Sequence, residues 1–164
     1  MPLYRFGLSL SRNESDASDL TQQTFYAWAA KGHQLRDSSK VKTWLFTTLY
    51  REFLAKKRRD ERFVETDEDT VFAEPMEISP SVIDEIDASI VQKALHDLDE
   101  RYRGPVTLFY MEQHSYREIA EILSLPLGTV MSRISRGKAE LRRRLSDLAA
   151  DEARKILPMK GGDR

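Results

Sequence analysis

The chain has 164 residues, of which 40% are hydrophobic, and a formal net charge of −1. This length allows one modest core or two small ones. The sequence has no cysteine and three scattered histidines, which excludes disulfides and thiolate metal sites and disfavours a zinc site or any other metal site. No segment approaches the roughly 20 apolar residues of a membrane span, and the first residues lack a signal-peptide core, so we expect a cytoplasmic protein without membrane insertion.

The charges are distributed in blocks along the chain. Between Lys31 and Arg62, ten Lys and Arg residues stand against four acids, whereas residues 63–87 hold nine acids and no Lys or Arg. This block asymmetry says more about binding partners than the near-zero total does. The sequence therefore predicts two basic modules separated by an acidic linker.

The hydrophobic periodicity is helical throughout the first module, without a strand pattern of useful length. Helices are predicted at residues 3–11, 16–31 and 40–62, with Gly32 as a C-cap and an N-cap within Asp37 to Ser39. Acids, Pro75, Pro80 and weak periodicity mark a flexible boundary. We predict an all-α fold of two small helical domains, the second of them containing a helix-turn-helix. The predicted divisions are a first module at 1–63, a flexible acidic linker at 64–83, a second module at 84–148 and a C-terminal tail at 149–164.

The segment from Ser115 to Leu145 predicts a helix-turn-helix. Ser115 and Glu118 fit a capping box, Ser124-Leu125-Pro126 ends the first helix, and a second helix can begin near Leu127. Val130 and Ile134 would face the first helix, leaving small hydroxyls and Arg outside, where they suit phosphates and base edges. The outward residues are Thr129, Met131, Ser132, Arg133, Ser135 and Arg136. The alternative interpretation is an ordinary pair of amphipathic helices with a solvated cationic face.

The predicted helix at residues 40–62 combines aromatic and cationic side chains. Its aromatic residues are Trp44, Phe46, Tyr50 and Phe53. This mixture suits single-stranded DNA, because unpaired bases stack on aromatic rings while cations follow the phosphates. Alternatively, Trp44 and Trp28 belong to the core, and the run from Lys56 to Arg59 is a solvated helix end. In that case the apolar side of the helix would comprise Trp44, Leu45, Thr48, Leu49 and Leu54.

Together the two modules resemble the extracytoplasmic-function (group 4) sigma factors of bacterial RNA polymerase, within the sigma-70 family. The resemblance spans about residues 3–145 and rests on three segments. They are LYRFGLSLSRNESDASDLTQQTFYAWAA, LRDSSKVKTWLFTTLYREFLAKKRR and LDERYRGPVTLFYMEQHSYREIAEILSLPLGTVMSRISRGKAELRRRL. The pattern GTV-x-SR-x-x-R, from Gly128 to Arg136, is the most specific part. The resemblance implies a factor that binds core polymerase, recognises promoter DNA and promotes strand opening, without catalysis and without a cofactor.

The resemblance also implies three groups of contact residues. The clamp helices of core polymerase would be bound by Asp16, Asp19, Leu20, Gln22, Gln23, Phe25 and Trp28. The minus-ten element, partly single-stranded, would be bound by Arg36, Ser39, Lys40, Lys42, Arg51, Lys56, Lys57, Arg58 and Arg59. The minus-thirty-five duplex would be read by the outward helix-turn-helix residues, with Ser115, Tyr116 and Arg117 near its backbone. Because this group is often held by an anti-sigma protein, such a factor is a further expected partner.

Other functions stay open on the sequence alone. An autonomous helix-turn-helix regulator would bind an operator without polymerase, but no dimer seam is evident and the first module would be unexplained. A protein-docking module would use its basic faces for a protein partner. An enzyme is disfavoured, because His33, His96 and His114 lie far apart and are expected at the surface or in caps, and because no nucleophile–base pair is evident.

The charge layout suggests a regulated state of the free protein. We hypothesise that the acidic linker lies across a basic face and gives a compact form that occludes DNA. Core polymerase would then separate the modules.

Overall fold

The structure, a computed structural model, describes residues 1–61 and 88–156. Within these residues the secondary structure is helical and contains no strand, which confirms the all-α prediction. The helices are α1 Pro2–Ser11, α2 Glu14–Lys31, α3 Val41–Glu61, α4 Ala88–His96, α5 Glu100–Tyr110, α6 Tyr116–Leu123 and α7 Leu127–Ile156. Two 3-10 turns, Gly32–Gln34 and Ser38–Lys40, connect α2 to α3. The predicted linker, 64–83, lies outside the described residues, as do the first residues of the second module and residues 157–164.

Short-range capping contacts set the helix ends. The side chain of Asn13 accepts a hydrogen bond from the backbone N–H of Asp16 and so begins α2. The predicted capping box is confirmed, because the Ser115 hydroxyl accepts from the Glu118 N–H at 3.3 Å and the Glu118 carboxylate accepts from the Ser115 N–H at 2.8 Å. Ser124 ends α6 in a left-handed conformation with φ of 53°. These local contacts place the helix-turn-helix as the sequence predicts.

The two modules share one hydrophobic core. Helices α1 and α3 of the first module pack against α5 and α6 of the second. The buried residues of this core are Leu3, Phe6, Leu10, Leu20, Phe46, Leu49, Leu108, Ile119, Ile122, Leu123, Val130 and Ile134. Each fully buried side chain of this size stabilises the fold by about 1.5 to 3 kcal/mol. This core therefore holds the described parts of the modules together, and a second, smaller cluster of Leu95, Leu98 and Val106 lies within the second module.

The buried side of α3 matches the predicted apolar side only in part. Thr43, Phe46 and Leu49 are buried, whereas Trp44 and Leu54 are only half-buried. The difference arises because α3 contacts α1 and α2 on one side and α6 on the other, so its buried face is set by the neighbours. Phe46 is 2% exposed, and its ring packs on other rings in the core. It is therefore not available to stack on a base in this arrangement.

Charged side chains cross the boundary between the modules. Arg5 donates from Nε and Nη2 to Oε1 of the buried Glu112, at 3.2 and 3.1 Å. The buried guanidinium of Arg103 donates to the carbonyl of Ser9 at 3.1 Å and, from two nitrogens, to the carbonyl of Leu98. Buried charges are tolerated when they are paired or hydrogen-bonded, so separation of the modules would remove partners that Glu112 and Arg103 have here.

His114 lies at this boundary, and the prediction of a surface or cap position for it is wrong. Its side chain is 2% exposed, and neither ring nitrogen has a hydrogen-bond partner among the described residues. The ring packs edge-on against Phe46, with centroids 4.8 Å apart. Burial lowers the pKa of His114 to about 4, the charge of Lys42 acts in the same direction, and Glu118 opposes them. The imidazole is therefore neutral at pH 7. His33 and His96 are exposed, as predicted.

Candidate nucleic-acid and polymerase-binding surfaces

The helix-turn-helix is formed by α6, the turn at 124–126 and the first part of α7. Val130 and Ile134 are 0% and 3% exposed, which confirms that they face inward. Met131 is exposed, and the other predicted contact residues of α7 are half-buried. Those residues are Thr129, Ser132, Arg133, Ser135 and Arg136. The Ser132 hydroxyl donates to the Thr129 carbonyl at 3.0 Å, which leaves the hydroxyl oxygen as an acceptor.

The recognition segment of α7 lies close to the first module. Burial raises the pKa of Tyr50 on α3, and the positive charge of Arg133 partly opposes that effect. The inward residues Val130 and Ile134 of this segment belong to the core that the two modules share, and Arg133 is half-buried.

The beginning of α6 presents three exposed predicted contacts, Ser115, Tyr116 and Arg117. The ring of Tyr116 stacks on Phe109 with centroids 5.0 Å apart and an interplanar angle of 13°. This stacking holds the tyrosine at the helix N-terminus. A positive helix end with a hydroxyl and a guanidinium is suited to a DNA phosphate.

The predicted minus-ten residues are spread along α3 and the turn before it. Asp37 organises that turn, because its carboxylate accepts from the N–H of Ser39 at 2.9 Å and from its hydroxyl at 2.7 Å. These hydrogen bonds lower the pKa of Asp37. At 1.5 Å of rise per residue, Lys42 and Arg58 lie about 24 Å apart along the helix axis, so they cannot contact the same nucleotide. They are placed to follow a strand along α3.

Four of the predicted minus-ten cations are paired. The Nζ of Lys42 donates to the backbone carbonyl of Glu112 at 2.6 Å, and the Nζ of Lys40 lies 3.6 Å from the carboxylate of Glu121. Lys57 pairs with the carboxylate of Glu100. Lys56 instead pairs within the first module, with the carboxylate of Asp16. Arg36, Arg51, Arg58 and Arg59 are exposed.

The predicted polymerase surface on α2 is mostly exposed. Asp19, Gln22 and Gln23 are exposed, and Phe25 is 39% exposed. Leu20 is 2% exposed and belongs to the core, so it supports this surface from beneath and is not itself a contact.

The remaining two residues predicted to bind polymerase already have partners within the module. The carboxylate of Asp16 is paired with Lys56. Trp28 is half-buried and packs edge-on against Trp44 with centroids 5.3 Å apart, which favours the core interpretation of both tryptophans. A methyl group at Gly32 would lie 2.6 Å from the Trp28 ring, so glycine is needed there for close packing.

Tyr26 was missed by the sequence reasoning. Its side chain is 80% exposed, which is unusual for a large aromatic residue on a helix. It follows Asp19 by seven residues, and Gln22 and Gln23 by four and three, so these four residues share one face of α2. That spacing was visible in the sequence.

Within residues 1–61 and 88–156, no cluster of His, Asp or Glu has the grouping needed to hold a metal ion. Likewise, none of the helices in those ranges combines the length and apolarity of a membrane span.

The fold and surfaces define a helical protein with a DNA-binding helix-turn-helix, and comparison with known proteins identifies its family. The sigma-70 region 2 family model matches residues 2–63, and the sigma-70 region 4 model matches residues 88–141. The extracytoplasmic-function RNA polymerase sigma factor SigE of Mycolicibacterium smegmatis is 34% identical, over 92% of this chain and 60% of that protein. EcfG of Rhodopseudomonas palustris is 30% identical, over 85% of this chain and 76% of that protein.

A solved structure of similar fold is the sigma factor RpoE in complex with the anti-sigma factor NepR, from Bartonella quintana. It is 35% identical, with a TM-score of 0.69, and covers 88% of this chain and 89% of that chain. The chain belongs to the extracytoplasmic-function group of sigma-70-family RNA polymerase sigma factors.

Proposed function

We propose that this protein is a dissociable promoter-specificity subunit, which binds core RNA polymerase, recognises promoter DNA and promotes strand opening. The observation that carries the proposal is the presence, in order, of both sigma modules, with an exposed polar face on α2 and a capped helix-turn-helix. As a sigma factor it initiates transcription and is not a catalyst. We also propose that it acts in the cytoplasm, where core polymerase is found.

The second module recognises the minus-thirty-five duplex in this proposal. Arg133 and Arg136 would contact base edges or phosphates, and small hydroxyls beside them would add hydrogen bonds. The N-terminus of α6, with Tyr116 fixed by Phe109, would contact the DNA backbone and set the register.

The first module binds the minus-ten element in this proposal. The turn at residues 35–42 would capture an unpaired base, and α3 would hold the phosphates of the same strand. Extruding a base costs a few kcal/mol, which stacking and phosphate contacts must offset. The exposed cations at both ends of α3 are suited to binding the phosphates of that strand.

The proposed sigma function also implies protein partners. The face of α2 with Asp19, Gln22 and Gln23 would bind the clamp helices of core polymerase. An anti-sigma factor is a further proposed partner, because the similar sigma factor from Bartonella quintana was solved with NepR.

Run-off transcription by core polymerase, with and without this protein, on a genomic promoter library tests the proposal. New transcript starts that share two spaced upstream elements are the expected result. DNA binding by the protein alone, without stimulation of transcription, would instead support an autonomous helix-turn-helix regulator. The absence of both would leave a protein-docking role.

A further inference from the structure

We infer that two exposed apolar side chains at the start of α7, Leu127 and Met131, contact the C5-methyl group of a thymine in promoter DNA. The minus-thirty-five element of this protein would then hold a thymine close to a guanine that arginine contacts. The inference rests on the proposed function and deepens it, because it names a base that the recognition segment selects. It adds an apolar contact to the arginine and hydroxyl contacts proposed above.

Exposed large hydrophobic side chains are concentrated in the helix-turn-helix. Six such side chains are exposed among the described residues, and three of them lie in this motif: Tyr116, Leu127 and Met131. The ring of Tyr116 already stacks on Phe109. Leu127 is 43% exposed and Met131 is 39% exposed, and neither belongs to a hydrophobic cluster of the described residues. These two side chains therefore present apolar surface that the fold does not bury.

Helical geometry places this apolar surface along one edge of the outward face of α7. Leu127 and Met131 are four residues apart, so they are neighbours on the helix surface. At 3.6 residues per turn, Met131 and Arg136 are about 140° apart around the helix axis. Gly128 and Ser132 lie between them. The outward face therefore has an apolar edge, a centre of small residues and a cationic edge.

The fold gives no reason for a glycine at position 128. Apart from its chain neighbours and the helix backbone, no atom would lie within 4 Å of a Cβ added there, and Gly128 does not have a positive φ. Glycine also disfavours a helix relative to alanine. A missing side chain on the outward face does allow a ligand to approach the helix backbone closely. Such an approach would bring Leu127 and Met131 against the base edges.

The chemistry of the major groove selects thymine as the base that fits an apolar edge. Thymine presents a C5-methyl group there, whereas cytosine presents an N4 amino donor in its place. Contact with Leu127 or Met131 removes the methyl group from water, which is favourable. The same side chains against cytosine would cover a donor without accepting a hydrogen bond from it. The apolar edge therefore favours thymine over cytosine.

The spacing along α7 predicts where the thymine lies. Met131 and Arg136 are five residues apart, which is about 7.5 Å along the helix axis. Successive bases of a DNA strand are about 3.4 Å apart along the duplex. We therefore expect the thymine within about two to three base pairs of the guanine that Arg136 contacts.

An experiment that removes only the methyl group tests the inference. Run-off transcription by core polymerase with this protein compares two templates of a promoter found in the genomic library. One template has thymine in the minus-thirty-five element, and the other has deoxyuridine, which pairs in the same way but lacks the C5-methyl group. We expect uracil to lower transcription about fourfold, as the burial of one methyl-sized group predicts. Deoxyuridine in the spacer between the two promoter elements is the DNA control.

Variants of the two side chains show whether they are the groups that contact the methyl group. The double variant Leu127→Ala/Met131→Ala should lower transcription on the thymine template and should transcribe the two templates equally. The exchange Leu127→Met/Met131→Leu is the matched control, because it keeps the apolar surface and should keep the fourfold difference. The melting temperature should be unchanged in both variants, since the two side chains are exposed.

Four results would overturn the inference. The first is a minus-thirty-five element without a thymine near its guanine, and the second is equal wild-type transcription from the thymine and uracil templates. The third is a uracil effect that persists in the double alanine variant, which would mean that another residue or the shape of the DNA is responsible. The fourth is full transcription by the double alanine variant on every template, which would leave the apolar edge to a protein partner.

The same assay separates this inference from the proposed function. Stimulation by the wild-type protein without sensitivity to uracil would reject the thymine contact and keep the sigma function. Absence of stimulation by the wild-type protein on every template would reject the sigma function itself, and the thymine contact with it.

Discussion

In the proposed function, Arg133 and Arg136 are the residues of α7 that contribute most to promoter recognition. Arg133→Ala or Arg136→Ala should lower promoter-specific transcription about 5- to 150-fold, because a bidentate Arg–guanine contact discriminates by about 1 to 3 kcal/mol. Binding to core polymerase should be unchanged. Run-off transcription and a core-binding assay measure the two effects. The control is Arg143→Ala, which removes the same charge from an exposed position later on the same helix. If the Arg133 and Arg136 variants lost core binding as strongly as transcription, the DNA-contacting face would be wrongly placed.

We expect the Tyr26 side chain to contribute to the binding of core polymerase. Large exposed aromatic side chains are frequent binding hot spots, and Tyr26 shares its helical face with Asp19, Gln22 and Gln23. Tyr26→Ala should weaken core binding about tenfold, or about 1.4 kcal/mol, measured by titration with labelled protein. Its melting temperature should not change, since the side chain is 80% exposed. Tyr26→Phe is the control, and an unchanged affinity of the alanine variant would remove Tyr26 from the interface.

At the scale of helices, the close approach of α5 and α7 depends on Gly137. A Cβ atom at this position would lie 2.6 Å from Cγ2 of Val106 and 2.8 Å from Cβ of Tyr102, which are atoms close to the backbone of α5. Gly137→Ala should therefore lower the free energy of unfolding by about 1 to 2 kcal/mol, because overpacking outweighs the gain in helix propensity.

The same substitution at Gly128 is the matched control, since no atom lies within 4 Å of its added Cβ. Gly128→Ala should gain up to about 1 kcal/mol from helix propensity alone. Denaturant unfolding of both variants measures the difference. Stabilisation by both substitutions would show that α5 and α7 are not in close contact.

At the scale of the whole molecule, the buried His114 couples the module boundary to pH. The pKa of His114 is about 4 in the folded protein, against about 6.5 when unfolded. Burial of the neutral ring therefore contributes fully to stability above pH 6.5, and this contribution is lost as the pH falls toward 4. Between pH 7.5 and pH 5 the free energy of unfolding should fall by about 2 kcal/mol from this group.

Urea unfolding at the two pH values measures this loss. His114→Phe should remove most of the pH dependence, whereas His33→Gln, a change at an exposed histidine, should leave it intact. The lowered pKa of Glu118 acts only below its usual value of 4.5, outside the measured window. A slope that persists in His114→Phe would assign the pH effect to another group.

The sequence by itself determined the helices and the helix-turn-helix. The capping box of Ser115 and Glu118, the turn after Leu123 and the inward positions of Val130 and Ile134 all depend on residues a few positions apart. Contacts of this kind are encoded by spacing and residue type, so they can be inferred without the fold. The same holds for the pattern from Gly128 to Arg136, which predicted the family that the comparisons show.

Only the tertiary structure decided how the modules are joined and which predicted contact residues are already engaged. The Arg5–Glu112 pair joins residues 107 positions apart, and Lys42 and Glu112 are separated by 70. The burial of Phe46 and His114 has the same origin, since each is covered by a helix or loop from the other module. A single sequence specifies local hydrogen bonding through its own neighbours, but a partner that is distant along the chain is fixed only when the hydrophobic faces of the helices pack together.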